Sequence, residues 1–190
     1  MAAILKSGLP VLALAPHRLT DIYTDTRLIA SLVDARAEGE TLIALMQHAI
    51  EETRAAAVYL ASHERPLVYC EESGKPMIHS QAWVAELIEA SGGRFLGIPG
   101  SHIDKETIDA AEPDVLLFAW CGAGDRAPQA KVLAQRTWEH LQAVEQRRVH
   151  CVSDKFFNTP ATTLLDGLRA IAGAFHPSLL PAHRRVMTLA

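Results

Sequence analysis

The chain has 190 residues, 49% of them hydrophobic, and a formal net charge of -4 at pH 7. That length can bury one substantial core, or one domain and a fragment of another. Acidic and basic residues are mixed throughout, which leaves no basic patch for nucleic acid, and apolar runs such as VLALA and VLLFAW fall far short of the roughly 20 residues a membrane-crossing helix needs.

The opening, MAAILKSGLPVLALAP, begins apolar, but Gly8 and Pro10 interrupt it and no small-residue cleavage site follows, so no signal peptide is predicted. The pattern predicts a helix end over residues 1–6 and a buried strand over residues 9–15. TDIYTDTRLIASLVD follows as a short helix, with Thr20 as N-cap and Ile22, Leu28, Ile29, Leu32 and Val33 at helical spacing. Residues 38–62 contain no proline, and no glycine after Gly39, and read as one long helix stopped by Pro66. At 1.5 Å per residue it would run roughly 37 Å.

Beyond Pro66 strands and helices alternate. PLVYC reads as a strand, SQAWVAELIEASGG as a helix closed by Gly92 and Gly93, and RFLGI as a short strand. DKETIDAAEP is a short helix, DVLLFAW a buried strand, APQAKVLAQRTWEHLQAV one or two helices and RRVHCVS a strand. TPATTLLDGLRAIAGAFHP closes the series as a helix with Pro160 in its first turn. Strands that lack polar alternation and are separated by helices imply a parallel sheet covered on both faces, here of four or five strands. The fold class is therefore α/β, with a Rossmann-like parallel-sheet lobe. A lone strand and helix cannot bury both faces of a sheet, so residues 1–33 read as the tail of another lobe. Residues 34–64 are expected as a long bridging helix, 65–177 as the α/β lobe and 178–190 as a tail. The strand in the tail of the other lobe has to hide Leu12 and Leu14, either against the chain's own helix or in a homodimer with a second copy. Cys70, Cys121 and Cys151 each end a strand-like run, and an odd number without close pairing indicates buried thiols.

LLFAWCGAGD, residues 116–125, ends a strand in two glycines. A dinucleotide loop needs a third, and here Arg126, Ala127 and Pro128 follow. No Gly-x-Ser-x-Gly elbow, Cys-x-x-Cys pair or His-Glu-x-x-His helix is present, so no enzyme is predicted. The nine histidines are scattered, which predicts no dedicated metal site.

The segments GLPVLALAPHRLTDIYTDTRLI, WVAELIEASGG, ETIDAAEPDVLLF, CGAGDRA and FFNTPATTLLDGLRAIAGAFHP, spread over residues 8–177, resemble in order and spacing the substrate-binding proteins of ABC importers for cobalamin, haem and siderophores. The likeness is greatest to the cobalamin-binding branch. It implies two lobes bridged by a long helix, residues 1–33 being what this chain has of the first lobe. A small-molecule ligand, a corrinoid such as cobalamin or cobinamide, would be carried as cargo and not as a cofactor, and ABC permease subunits would be partners. It also implies a periplasmic location; the alternatives are a truncated cytoplasmic relative or interaction module without transport function, and a ferric-siderophore or haem binder.

Ligands of open α/β sheets collect at the carboxyl ends of the strands. On that resemblance Trp120, Cys121 and Gly122 line the mouth of the cleft. In SDKFFNTP, Phe156 and Phe157 are adjacent aromatics in a polar turn, and one of them is expected to face ligand or solvent; the alternative puts Phe156 in the core and Phe157 beneath the loop. Lys155 and Asn158 could hydrogen-bond the amide arms of a corrinoid. The loop EESGKPMIHSQAW offers Met77, His79 and Trp83, His79 being a possible axial ligand or merely a polar loop residue. Glu106 in DKETI matches the position of the family's acidic residue that meets the permease, or is an ordinary first-turn glutamate.

Overall fold

Leu67–Gly74 forms β1, whose run LVYC is apolar on both faces because both are covered. Val68 and Cys70 point to one side with Val115, Leu117 and Val152, whereas Tyr69 points to the other with Leu116, Phe118, Val149 and Cys151. The computed structural model describes residue 6 and residues 8–58, 65–124, 126–176 and 186–188 of the chain.

In chain order the elements are α1 (Leu19–Leu32), α2 (Arg36–Ala57), β1, β2 (Met77–His79), α3 (Ala82–Ala90), β3 (Arg94–Phe95), α4 (Lys105–Ala111) and β4 (Val115–Phe118). Then come α5 (Gln129–Arg136), α6 (Gln142–Glu145), β5 (Val149–Val152), α7 (Asp154–Phe157), α8 (Leu164–Phe175) and β6 (Val186–Thr188). The sheet has six strands in the order β2-β1-β4-β5-β6, with β3 beside the start of β1. β1, β3, β4 and β5 are parallel, while β2 and β6 close the two edges antiparallel. The expected four- or five-stranded parallel sheet is thus extended. The loop read after β1 is a hairpin, because Lys75 and Pro76 turn the chain straight back and pair Gly74 with Met77.

One face of the sheet packs on α1, α2, α3, α7 and α8 through residues such as Ile22, Ile43, Leu87, Leu168 and Ile171. The other packs on Ile108, Val132, Leu133, Trp138 and Leu141, from α4, α5 and the turn after it. The long helix exists, but runs over 22 residues from Arg36 to Ala57, and residues 59–64 of its expected span lie outside the described residues. The expected helix end at residues 1–6 lies outside them too, apart from Lys6, in a turn. The expected buried strand over residues 9–15 does not form. Leu9, Val11, Leu12 and Leu14 are exposed, Leu12 at 46% and Leu14 at 39%, and among the described residues neither Leu12 nor Leu14 is part of a core cluster. A strand needs a partner edge, and no described strand pairs with this segment. Among the described residues no helix is long and apolar enough to cross a membrane.

The adjacent aromatics overturn the sequence expectation that one of them faces outward. Phe156 is 3% and Phe157 0% exposed. SDKFF is not a loop but the one-turn helix α7, with Ser153 at its N-cap position and α8 as its roof. Successive helical residues diverge by about 100°, so both rings can enter a core that wraps the turn on two sides. A Cβ at Gly167 of α8 would lie 2.5 Å from the Phe156 carbonyl oxygen and 2.7 Å from the Phe157 ring, which shows how closely the two helices approach. Helix α8 begins at Leu164, so Pro160 precedes it and is not in its first turn.

Replacing Phe157 with Ala is therefore expected to lower the unfolding free energy by about 3–5 kcal/mol, measured by urea denaturation; a loss under about 1 kcal/mol would mean the ring is not in the core. His150, buried on β5, has its pKa lowered to about 4, chiefly by burial and then by Arg148. The unfolded imidazole titrates near 6.5, so between the two values the unfolded state binds more protons. Stability from this group is complete above about pH 6.5 and is lost as pH falls through about 4, on the order of 3 kcal/mol in all. His150→Gln should flatten the urea midpoint against pH in that window, and an unchanged slope would assign the acid sensitivity elsewhere.

Candidate functional site at the carboxyl ends of the strands

Beyond β4 the chain keeps to the edge of β1. Ala119 N–H donates to the Glu71 carbonyl at 2.9 Å and Cys121 N–H to that of Glu72 at 3.1 Å. The loop then turns through Gly122 at φ 78° and Gly124 at φ 60°, in the left-handed region where glycine costs least. A Cβ at either would meet nothing within 4 Å, so bare backbone is presented at this point.

The turn after β5 locks onto this loop. Gly122 N–H donates to Asp154 Oδ2 at 2.6 Å, and Asn158 Nδ2 donates to the Ala119 carbonyl at 2.7 Å and to Cys121 Sγ at 3.1 Å. Glu72 approaches from β1, held by Gln81 Nε2 at 2.9 Å. The mouth thus gathers Glu72, Cys121, Gly122, Asp154, Lys155 and Asn158. Cys121 is exposed, yet burial of part of its thiol, followed by the charge of Glu72, raises its pKa. A thiol held protonated is a poor nucleophile and a poor metal ligand. Among the described residues, no three His, Cys, Asp or Glu side chains are placed to hold a metal ion.

Of the residues singled out in the sequence, Cys121, Gly122, Lys155 and Asn158 meet at this mouth. Lys155 is exposed, its ammonium 4.7 Å over the Phe156 ring. Phe156 and Phe157 lie beneath it. Trp83 is 7% exposed inside the core, its Nε1–H donating to the Phe157 carbonyl at 2.7 Å. His79 is 1% exposed, between the rings of Tyr69 and Phe95 at 5.5 Å from each, and burial lowers its pKa. It is a neutral core histidine, because the hairpin folds it under the sheet edge. Met77, half-buried on β2, packs on the same side as Trp138. Glu106 is exposed in the first turn of α4, whose N-cap Asp104 accepts from Thr107 N–H at 2.7 Å.

Trp120 turns away from the mouth, and the reason is a residue that the sequence reading did not select. Glu71 is 0% exposed, and its carboxylate accepts from Trp120 Nε1 at 2.6 Å, Tyr69 hydroxyl at 2.5 Å, and Arg136 Nη1 and Nη2 at 2.7 and 3.0 Å. The charge and burial of this site raise the Tyr69 pKa, burial being the larger cause. Arg136 also stacks 4.8 Å over the Trp138 ring. The one sequence signal was the Glu71-Glu72 pair inside a strand, where alternation sends one of two neighbours inward; its partner lies 65 residues away. Removing one side of a buried pair strands the other charge. Arg136→Met is thus expected to cost about 3–5 kcal/mol in urea unfolding, and Glu71→Gln added to it should restore a good part of that loss.

Several comparisons agree with this architecture. The profile of a family described as periplasmic binding protein matches residues 3–154, more than half of the chain. A periplasmic heme binding protein from Pseudomonas aeruginosa superposes with a TM-score of 0.85 at 19% identity, over 100% of this chain and 72% of that one. A possible iron-binding (periplasmic solute-binding) protein from Staphylococcus epidermidis gives 0.75 at 16%, over 92% of this chain and 69% of that one. For a periplasmic vitamin B12 binding protein of Vibrio cholerae the values are 0.68 and 16%, over 94% and 69%. No curated protein matches by sequence. The mixed α/β lobe is the fold of these structures, and the chain belongs to the periplasmic binding protein family.

Proposed function

We propose that this chain is the solute-binding component of an ABC-type importer, located in the periplasm, and that its ligand is a corrinoid. It works by binding and not by catalysis. The observation that carries the reading is the strand-end mouth, where the turns after β4 and β5 are tied together by Gly122–Asp154 and Asn158–Ala119 and leave the backbone at Gly122 and Gly124 bare. A broad ring can lie against bare backbone, where a bulky side chain would hold it off. Charges at the mouth alternate in sign, with Glu72 and Asp154 against Lys155. That mixture suits a large ring with amide arms better than a polyanionic iron chelate, which calls for clustered Arg or Lys. The exposed Glu106, on the first turn of α4, is proposed to meet cationic residues of the permease, since surface charge pairs steer docking while adding little affinity.

Titration with cyanocobalamin and dicyanocobinamide is expected to quench tryptophan fluorescence and to saturate in the micromolar range. Cys121→Trp, a substitution at an exposed position, fills the approach to the glycines and should weaken binding at least about tenfold while leaving the melting temperature in place. Tight binding of a ferric catecholate without a corrinoid response would overturn the ligand assignment, and silence from every macrocycle would overturn the binding reading.

A further inference from the structure

A groove runs beside the mouth, between the β1–β2 hairpin and α5, lined by Gly74, Lys75, Trp120, Lys131, Gln135 and Arg136. Every charged side chain in its lining is a cation. Lys75 and Lys131 are exposed, and among the described residues neither makes an ion pair. Arg136 forms part of the floor at 12% exposure, its charge met by Glu71 beneath. Of its five N–H donors, three are committed, two to Glu71 and one to the Gly74 carbonyl at 3.4 Å. The groove therefore carries two uncompensated positive charges and spare guanidinium donors. One wall is the Trp120 indole, which cannot swing away. Its Nε1–H is held by Glu71, its ring meets Phe118 edge-on at 6.1 Å, and the Gly74 backbone lies so close that a Cβ there would sit 2.5 Å from the indole. Trp120 adjoins Cys121 and Gly122, so the groove opens next to the strand-end mouth.

We propose that this groove receives an anionic side arm of the ligand, the phosphodiester that a complete corrinoid carries, while the flat part of the ligand lies over the mouth. The inference rests on the macrocycle reading above and adds to it the charge of the arm. Apolar contact along Trp120, Pro128 and Val132 suits the arm's stem, and Lys75, Lys131 and the remaining N–H donors of Arg136 suit its acidic end. Glu71 and Arg136 build the floor and hold the wall in place, and are positioning residues.

The test compares ligand pairs that differ in the arm, on the whole chain and on the double variant Lys75→Gln/Lys131→Gln. Cyanocobalamin carries a phosphodiester that dicyanocobinamide lacks, and haemin carries two carboxylates that its dimethyl ester masks. The unaltered protein should bind the member with the acidic arm about tenfold more tightly, the order expected of two charge-assisted contacts that are partly exposed. In the variant that ratio should fall to about one, with the affinity for the armless member unchanged, and the salt dependence of binding should flatten. Collapse of the cobalamin ratio supports the phosphate arm, whereas collapse of the haemin ratio alone means that the groove takes a carboxylate and overturns the corrinoid ligand. Ratios that are the same in both proteins overturn the groove while leaving the binding reading intact. Absence of binding by all four compounds overturns both.

Discussion

The burial of the Glu71 carboxylate is the constraint around which this end of the sheet is arranged. An ionised carboxylate with no solvent access is tolerated only when its oxygens are met by donors and its charge by a cation. Here the donors come from three places in the chain: Tyr69 on the same strand, Trp120 from the turn after β4, and Arg136 from the end of α5. Satisfying one side chain therefore fixes the relative positions of a hairpin, a strand exit and a helix. The indole cannot follow its neighbours to the mouth, and in being held back it becomes the wall of the groove beside it.

The opposite face is organised by volume and not by charge. Trp83, Phe156, Phe157, Leu164 and Leu168 fill the space between α3, α7 and α8, and Gly167 lets the last two helices meet at backbone distance. The Trp83 indole donates to the Phe157 carbonyl, so the one polar atom this aromatic brings into the core is satisfied there. The core carries the mouth directly above it. Asp154 and Asn158, which tie down Gly122 and Ala119, bracket the two buried phenylalanines, and the aromatic pair that could have served as a ligand platform serves instead as the foundation of the loop.

What is left for a ligand at the mouth is mostly backbone, one amide side chain and charges of mixed sign, with the unmixed positive charge displaced into the adjacent groove. This division separates two recognition tasks. On the proposed reading, the broad, weakly polar surface would take a ring, and the cationic slot beside it would discriminate by the charge of an arm. Specificity from a slot of this kind depends on charges that water still reaches, and is for that reason sensitive to salt.

The sequence by itself determined the family, the α/β class, the existence of the long helix and the alternation of the parallel strands with helices from Pro66 onward, but not the β2 hairpin, the one-turn α7 or β6. Each feature it determined is a local signal: LVYC, VLLF and VHCV are short apolar runs bounded by turn residues, and WVAELIEASGG ends in the glycines that close a helix. It also placed Cys121, Gly122, Lys155 and Asn158 at the strand ends, because a strand exit followed by glycine or by a polar turn is local too. Only the tertiary structure decided which way the aromatic side chains face. Trp120 and Phe157 sit in segments whose local pattern allows exposure; the indole is held inward by Glu71, 49 residues back, and the Phe157 ring is covered by α8 at Gly167, contacts that packing creates. Residues 9–15 failed in the opposite sense. Their apolar pattern is that of a buried strand, but a strand exists only where another edge completes its hydrogen bonds, and no described strand supplies one.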